Sequence, residues 1–193
     1  GRLRPMNIET IPVGMLEVNA YLVWQEGADR ALIIDPGGQP KLLLATLRRH
    51  ALTLAGILLT HGHVDHIGAV PALHEATGAP IYLHSNDVQL YHSPGNELPG
   101  VLPPVQNLPE TTQDAVAAAE FGYEVLPTPG HTQGSAVFYF AEDAVLFSGD
   151  TLFRGTVGRT DLPGGDAAAL AASIRTQLLS LPDEVTVQVP PNL

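Results

Sequence analysis

The six residues His61-Gly62-His63-Val64-Asp65-His66 hold three imidazoles and one carboxylate. Imidazole nitrogen and carboxylate oxygen are ordinary donors for zinc and iron, and a catalytic metal needs three or four of them converging from a rigid loop. Core packing calls for no such density of polar groups. Two further segments offer the same kinds of donor. Pro127-Thr128-Pro129-Gly130-His131-Thr132 sets a histidine in a turn stiffened by prolines, and Ser148-Gly149-Asp150-Thr151 sets an aspartate just past an apolar run. Either alone reads as turn chemistry. Beside the first cluster they add a further imidazole and a carboxylate able to bridge two ions, which a two-metal hydrolytic site requires.

The elements that must position these donors are legible around them. Leu54 to Thr60 reads as a buried strand, and the run from Ile67 through Ala69, Val70, Ala72, Leu73 and Ala76 reads as an amphipathic helix closed by Gly78 and Pro80. The cluster therefore sits on a strand-to-helix turn at the carboxyl end of a strand, where open α/β folds place their sites. His61 and His63 can face one ion from such a turn while Asp65 and His66 face a second.

Upstream, Ile8 to Pro12, Ala20 to Trp24 and Ala31 to Ile34 read as strands, with a turn at Asp35-Pro36-Gly37-Gly38 and a helix over Leu42 to Leu47. Downstream, Pro80 to His84 reads as a strand, and Ser85 caps a short helix containing Val88 and Leu90. The proline-rich stretch from His92 to Gln113 reads as a long loop, expected to act as a flap over the site. Ala115 to Phe121, Tyr123 to Leu126, Ala136 to Phe140 and Ala144 to Phe147 read as a second sheet, followed by a helix from Gly165-Asp166 through Leu179.

The run from Asn19-Ala20-Tyr21 through Ile34-Asp35-Pro36-Gly37, Thr60 to Gly68, Thr128-Pro129-Gly130-His131-Thr132 and Ser148-Gly149-Asp150-Thr151-Leu152-Phe153 resembles the metallo-β-lactamase superfamily. Within it the chain looks most like the single-domain, glyoxalase II-like hydrolases. The resemblance implies an αββα sandwich, two mixed sheets flanked by helices, as one domain over residues 1–193. It implies His61, His63 and His131 as ligands of a first metal, Asp65 and His66 as ligands of a second, and Asp150 as the bridge. Zinc is the expected metal, as one or two ions, with iron or manganese as alternatives. The family's last ligand is a histidine after the final strand, whereas Glu184 to Val189 here runs into Pro190-Pro191-Asn192-Leu193. A carboxamide is a poor zinc ligand, so the second position is expected to bind more weakly. The ending reads as a shortened or diverged form of the family pattern, and Gly1 to Pro5 as a leader ahead of a native start at Met6.

A ligating imidazole usually gives its other nitrogen to a carboxylate, which fixes ring orientation. Asp35 and Asp161 are the candidates for that task. Arg159, in Gly158-Arg159-Thr160-Asp161, is a candidate for holding a substrate carboxylate or for bracing its own loop against Asp161. His50, His74, His84 and His92 read as structural.

With 45% hydrophobic residues, the chain can bury a full core as one domain. A net charge of −11 and a single lysine, Lys41, argue against nucleic-acid or anionic-membrane partners, since both need clustered positive charge. The absence of cysteine excludes disulfides and thiolate ligands. No apolar run approaches the roughly 20 residues of a membrane span, so a cytoplasmic location is expected. The expected partner is a small-molecule substrate.

An open-sided divalent ion supplies hydroxide near pH 7 and polarises a carbonyl. Asp65 is the residue expected to orient the attacking water. A thioester such as an acylglutathione is the best-fitting substrate. The alternatives are a mononuclear iron persulfide dioxygenase, which shares the Gly158 to Asp161 element, and a metal-poor binding module.

Overall fold

The computed structural model describes residues 4–189. The ending Pro190 to Leu193, where the resemblance expects a histidine, lies outside them, as do Gly1 to Leu3. Five strands form the first sheet: β1 (Met6–Val13), β2 (Val18–Gln25), β3 (Arg30–Ile34), β4 (Thr53–Leu58) and β5 (Ile81–Tyr82), hydrogen-bonded in that order. β1, β2 and β3 pair antiparallel, whereas β3, β4 and β5 pair parallel through helical crossovers. The crossovers are α1 (Pro40–Arg49) and α2 (Val70–Thr77). Two short helices follow, α3 (Val88–His92) and α4 (Ala118–Phe121).

The second sheet contains β6 (Glu124–Pro127), β7 (Ala136–Phe140) and β8 (Val145–Phe147), antiparallel in sequence. A small ribbon, β9 (Leu152–Phe153) with β10 (Thr156–Val157), and α5 (Ala167–Ser173) come next. β11 (Thr186–Gln188) then returns parallel to β8. Both sheets are mixed, and the architecture is the expected αββα sandwich.

Strand alternation builds the layers, because successive side chains leave opposite faces. In β2 and β3, Ala20, Leu22, Ala31 and Ile33 face outward to Leu43 and Leu47 of α1 and Leu73 of α2. Tyr21, Val23, Leu32 and Ile34 face inward and meet Phe138, Phe140 and Phe147 of the second sheet. Val137 and Tyr139 take the far face of that sheet, against Leu146 and Leu178. Each fully buried large apolar side chain contributes about 1.5–3 kcal/mol, so these three layers hold the strand ends in fixed register.

Three expectations fail. Ser85 is not the cap of the short helix; His84 is the cap of the turn Ser85–Asp87 that leads into it, its Nδ1 accepting from the Asn86 amide at 3.0 Å. Ala115 to Phe121 is not a strand; its last four residues form α4, closed by Gly122 in the left-handed region at φ 71°. Alanine favours helix, and a glycine with positive φ ends one. The stretch after α3 is not a free flap. Thr112 accepts from Leu83 and donates to Ile81 along the sheet edge, the Tyr91 hydroxyl donates to the Pro109 carbonyl, and Val105 and Leu108 pack on the core. These contacts make it a fixed brace. No described helix is long and apolar enough to cross a membrane.

Candidate metal centre

The carboxyl ends of β3, β4, β6 and β8 lie at one end of the sandwich, and the turns that follow carry every donor named above. A bond from the Ala136 amide to the Thr60 carbonyl, 2.8 Å, ties the second sheet to the first at this end. Gly37 permits the turn after β3 to touch the histidine cluster, since a Cβ there would stand 2.0 Å from the Asp65 carbonyl oxygen.

Three groups of donor atoms converge, each spanning no more than 4.8 Å: His61 with His63 and His131, Asp65 with His66 and Asp150, and, behind the rings, Asp35 with His61 and His66. His63 Nδ1 lies 3.1 Å from His131 Nε2. Asp150 Oδ2 lies between the first two groups, 3.3 Å from His131 Nε2, 3.6 Å from His61 Nε2 and 3.2 Å from His66 Nε2. Asp65 Oδ2 is 3.5 Å from His66 Nε2. Donors at the corners of a tetrahedral zinc site stand about 3.3–3.6 Å apart, given bond lengths near 2.0–2.2 Å. The spacing fits.

Hydrogen bonds on the far side of the His61, His66 and His131 rings decide which nitrogen faces the space between them. Asp35 Oδ1 accepts from the Thr60 amide at 2.8 Å, and Oδ2 accepts from the Thr60 hydroxyl at 2.6 Å. Since that hydroxyl is spent on Asp35, its oxygen accepts from His61 Nδ1, 3.0 Å away. His66 Nδ1 donates to the same Asp35 Oδ2 at 3.0 Å. Asp35 therefore faces the back of the rings with both oxygens engaged, so it orients the imidazoles and has no free oxygen to offer an ion. His131 Nδ1 donates to the Arg159 main-chain carbonyl at 2.8 Å. His61 and His131 are left with Nε2 lone pairs aimed at the same space, into which His66 Nε2 also points, 3.2 Å from Asp150 Oδ2. His61 Nε2 is buried with no hydrogen-bond partner, a cost of about 1–3 kcal/mol unless the atom serves as a ligand.

The electrostatics agree with a cation-binding role. Burial, reinforced by His66, holds His61 well below the ordinary histidine value. Burial with His131 and His66 pushes His63 down to about 3. Burial opposes charge on His66 too, yet Asp150, Asp65 and Asp35 outweigh it and raise His66 well above the ordinary value. Burial likewise pushes Asp150 up, but His66 and the neighbouring His131 imidazole hold it well below the carboxylate range. A metal needs neutral imidazoles and ionised carboxylates, so His61, His63 and Asp150 stand ready for one, whereas His66 must first give up a proton.

One expected role is corrected. Asp161 does not hold a ligand histidine; it is exposed and paired with the Arg159 guanidinium through bonds of 2.7 and 2.8 Å. The Arg159 side chain braces this loop rather than pointing free toward a substrate, and its backbone carbonyl does the work assigned to Asp161. Among the other histidines, His74 Nδ1 donates to the Ala79 carbonyl and His84 Nδ1 accepts from the Asn86 amide. His92 stacks edge-on against Tyr91. None belongs to a converging donor group among the described residues.

Sequence reasoning passed over Thr60, Asp87 and Asn96. Asn96, buried in the brace, donates to the Gly62 carbonyl and accepts from the Val64 amide. Asp87, buried at the start of α3, accepts from the Gly62 amide. The one local signal was Thr60, a polar residue ending an apolar strand against the first histidine.

The sequence profile of the metallo-beta-lactamase superfamily matches residues 13–188, from the end of β1 to the end of β11. Hydroxyacylglutathione hydrolase GloC of Haemophilus influenzae is 39% identical over 189 residues, covering 94% of this chain and 89% of that protein. Among solved structures, the BLEG-1 B3 metallo-beta-lactamase matches with a TM-score of 0.84 at 39% identity, over 94% of this chain and 90% of that one. TTHA1623, solved in a di-iron-bound form, matches at 0.79 with 42% identity, over 96% and 91%. With this fold, these donors and these relatives, the chain belongs to the metallo-β-lactamase superfamily.

Proposed function

We propose that this protein is a metal-dependent hydrolase of glyoxalase II type, cleaving a thioester such as an acylglutathione. The observation that carries the reading is the pair of donor groups sharing Asp150, with His61, His63 and His131 on one side and Asp65 and His66 on the other. Its similarity to a hydroxyacylglutathione hydrolase supports the choice of substrate class. Divalent ions bound there would supply hydroxide at neutral pH and polarise the substrate carbonyl.

The chain's own residues do the rest. Asp35 and Thr60 keep the His61 and His66 rings pointed inward, so no reorganisation is needed as the reaction proceeds. Asp65, partly open to solvent beside His66, would orient the attacking water. The departing thiol, with a pKa of about 8.5, leaves as thiolate without a strong acid beside it. The chain contains no cysteine, so a thiolate nucleophile is excluded.

The test is a comparison of kcat/KM on an acylglutathione, the matching oxygen ester and a β-lactam, with metal content measured on the same sample. The reading expects two zinc-like ions and the thioester leading. One iron with oxygen-dependent turnover of a persulfide would overturn it in favour of a dioxygenase, and no tight metal in favour of a binding module.

A further inference from the structure

Asp87 lies outside both donor groups, yet it touches both of the turns that build the first of them. It ends a single helical turn, Ser85–Asp87, that leads into α3, and its side chain is buried. Oδ2 accepts from the Gly62 amide at 2.8 Å and from the Thr132 hydroxyl at 2.8 Å. Oδ1 accepts from the Gly134 amide at 2.7 Å. Gly62 lies between His61 and His63, and Thr132 follows His131. One carboxylate thus bridges residues 45 and 47 positions downstream to one 25 positions upstream. Its partners are two backbone amides and a hydroxyl, so its negative charge is satisfied only while both turns stay where they are.

Each turn is shaped to admit it. A Cβ on Gly134 would stand 2.6 Å from the Asp87 amide nitrogen and 2.7 Å from its Oδ1, so a side chain there would push the carboxylate away. Thr132 is itself fixed, its hydroxyl accepting from Ser135 Oγ at 2.7 Å and its amide donating to the same oxygen at 3.0 Å. His63 Nδ1 and His131 Nε2, 3.1 Å apart, come from the two turns so joined.

We propose that Asp87 is a positioning residue of the metal centre, whose carboxylate fixes the gap between the His61–His63 turn and the His131 turn and so sets how tightly the first ion is held. The proposal rests on the reading of these turns as metal-binding. Removing a group that orients metal ligands lowers affinity about 10- to 100-fold. Asp87→Asn replaces one acceptor oxygen by a donor that faces an amide, and should fall in that range. Thr132→Val removes one of three bonds and should cost less, while Thr132→Ser keeps the hydroxyl and should restore the wild-type value. Gly134→Ala should resemble Asp87→Asn.

Zinc affinity is measured by competition with a chromophoric chelator, alongside the cobalt(II) absorption spectrum and amide hydrogen exchange of the metal-free protein. The expected result is weaker zinc binding and an altered cobalt spectrum in Asp87→Asn, Gly134→Ala and Thr132→Val. Faster exchange at Gly62 and Gly134 should accompany it in Asp87→Asn. Leu43→Ala, a destabilising change in the outer core, should leave zinc affinity unchanged. Should Asp87→Asn fail to fold, the two Thr132 variants decide. Wild-type affinity and spectrum in Thr132→Val and Gly134→Ala would overturn the proposal, as would an equal affinity loss in Leu43→Ala. A wild-type chain that binds no zinc would overturn the metal reading itself, whereas exchange at Gly62 and Gly134 reports the clamp separately.

Discussion

Asp35 and Thr60 form one hydrogen-bonded unit behind the metal centre, in which Thr60 gives both its amide and its hydroxyl to the Asp35 carboxylate. The unit orients His61 through the threonine oxygen and His66 through the carboxylate. Asp35 adopts a left-handed backbone at φ 52°, a conformation aspartate tolerates better than most residues, and the three bonds to its side chain offset the strain. One aspartate thereby orders a histidine from each donor group.

Asp35→Ala should therefore weaken binding of both ions, by about 10- to 100-fold. Thr60→Val should act mainly on the ion held by His61, because His66 keeps its own bond to Asp35. Zinc titration of the two variants checks this, and a larger loss in Thr60→Val than in Asp35→Ala would contradict it.

His63→Ala deletes a ligand without touching either apolar face of the sandwich, so metal and hydrolysis should fall together while the fold persists. His74→Ala removes only a bond to the Ala79 carbonyl near the end of α2, costing about 1 kcal/mol of stability and no metal. Metal analysis with thermal unfolding separates the two.

The two ions should differ in affinity and in their response to pH. His61 and His63 are held below the ordinary value, so both are already neutral near pH 7 and offer lone pairs without losing a proton. His66 is raised, so in the metal-free protein its proton stabilises the fold below the ordinary value of about 6.5 and is lost only as pH rises through the higher folded value. An ion at Asp65, His66 and Asp150 must displace that proton. The second ion should bind more weakly than the first, tighten with rising pH and release a proton. Calorimetric titration in buffers of different ionisation heat measures this, and two equal, pH-independent sites would contradict it.

Arg159→Ala should leave metal content unchanged, because the backbone carbonyl of this residue, not its guanidinium, holds His131. Elemental analysis tests the point directly. A rise in KM at unchanged metal content would add a substrate contact to the bracing role.

The donors were legible in the sequence because metal ligation needs particular side-chain types, and His61 to His66 concentrates them within one turn. The groups that aim them were not. Thr60 and Asp35 meet across 25 positions, Asn96 and Gly62 across 34, and the partner of His131 is a backbone carbonyl that any residue at 159 would offer. The layered strands declared themselves by alternation, whereas the alanine-rich stretch before Gly122 carries no period that separates strand from helix. Its glycine decides the matter, by a positive φ that sequence does not display.

Hydrolysis is expected to depend on metal held by His61, His63, His131 and Asp150. The most direct test is the rate of acylglutathione cleavage by protein stripped of metal, then reloaded with zinc and brought to full occupancy. Stripped protein should be folded and inactive, with cleavage returning in proportion to zinc bound, and His131→Ala should not recover on reloading. Cleavage at an undiminished rate by the stripped protein, or none by the fully loaded protein, would contradict the account.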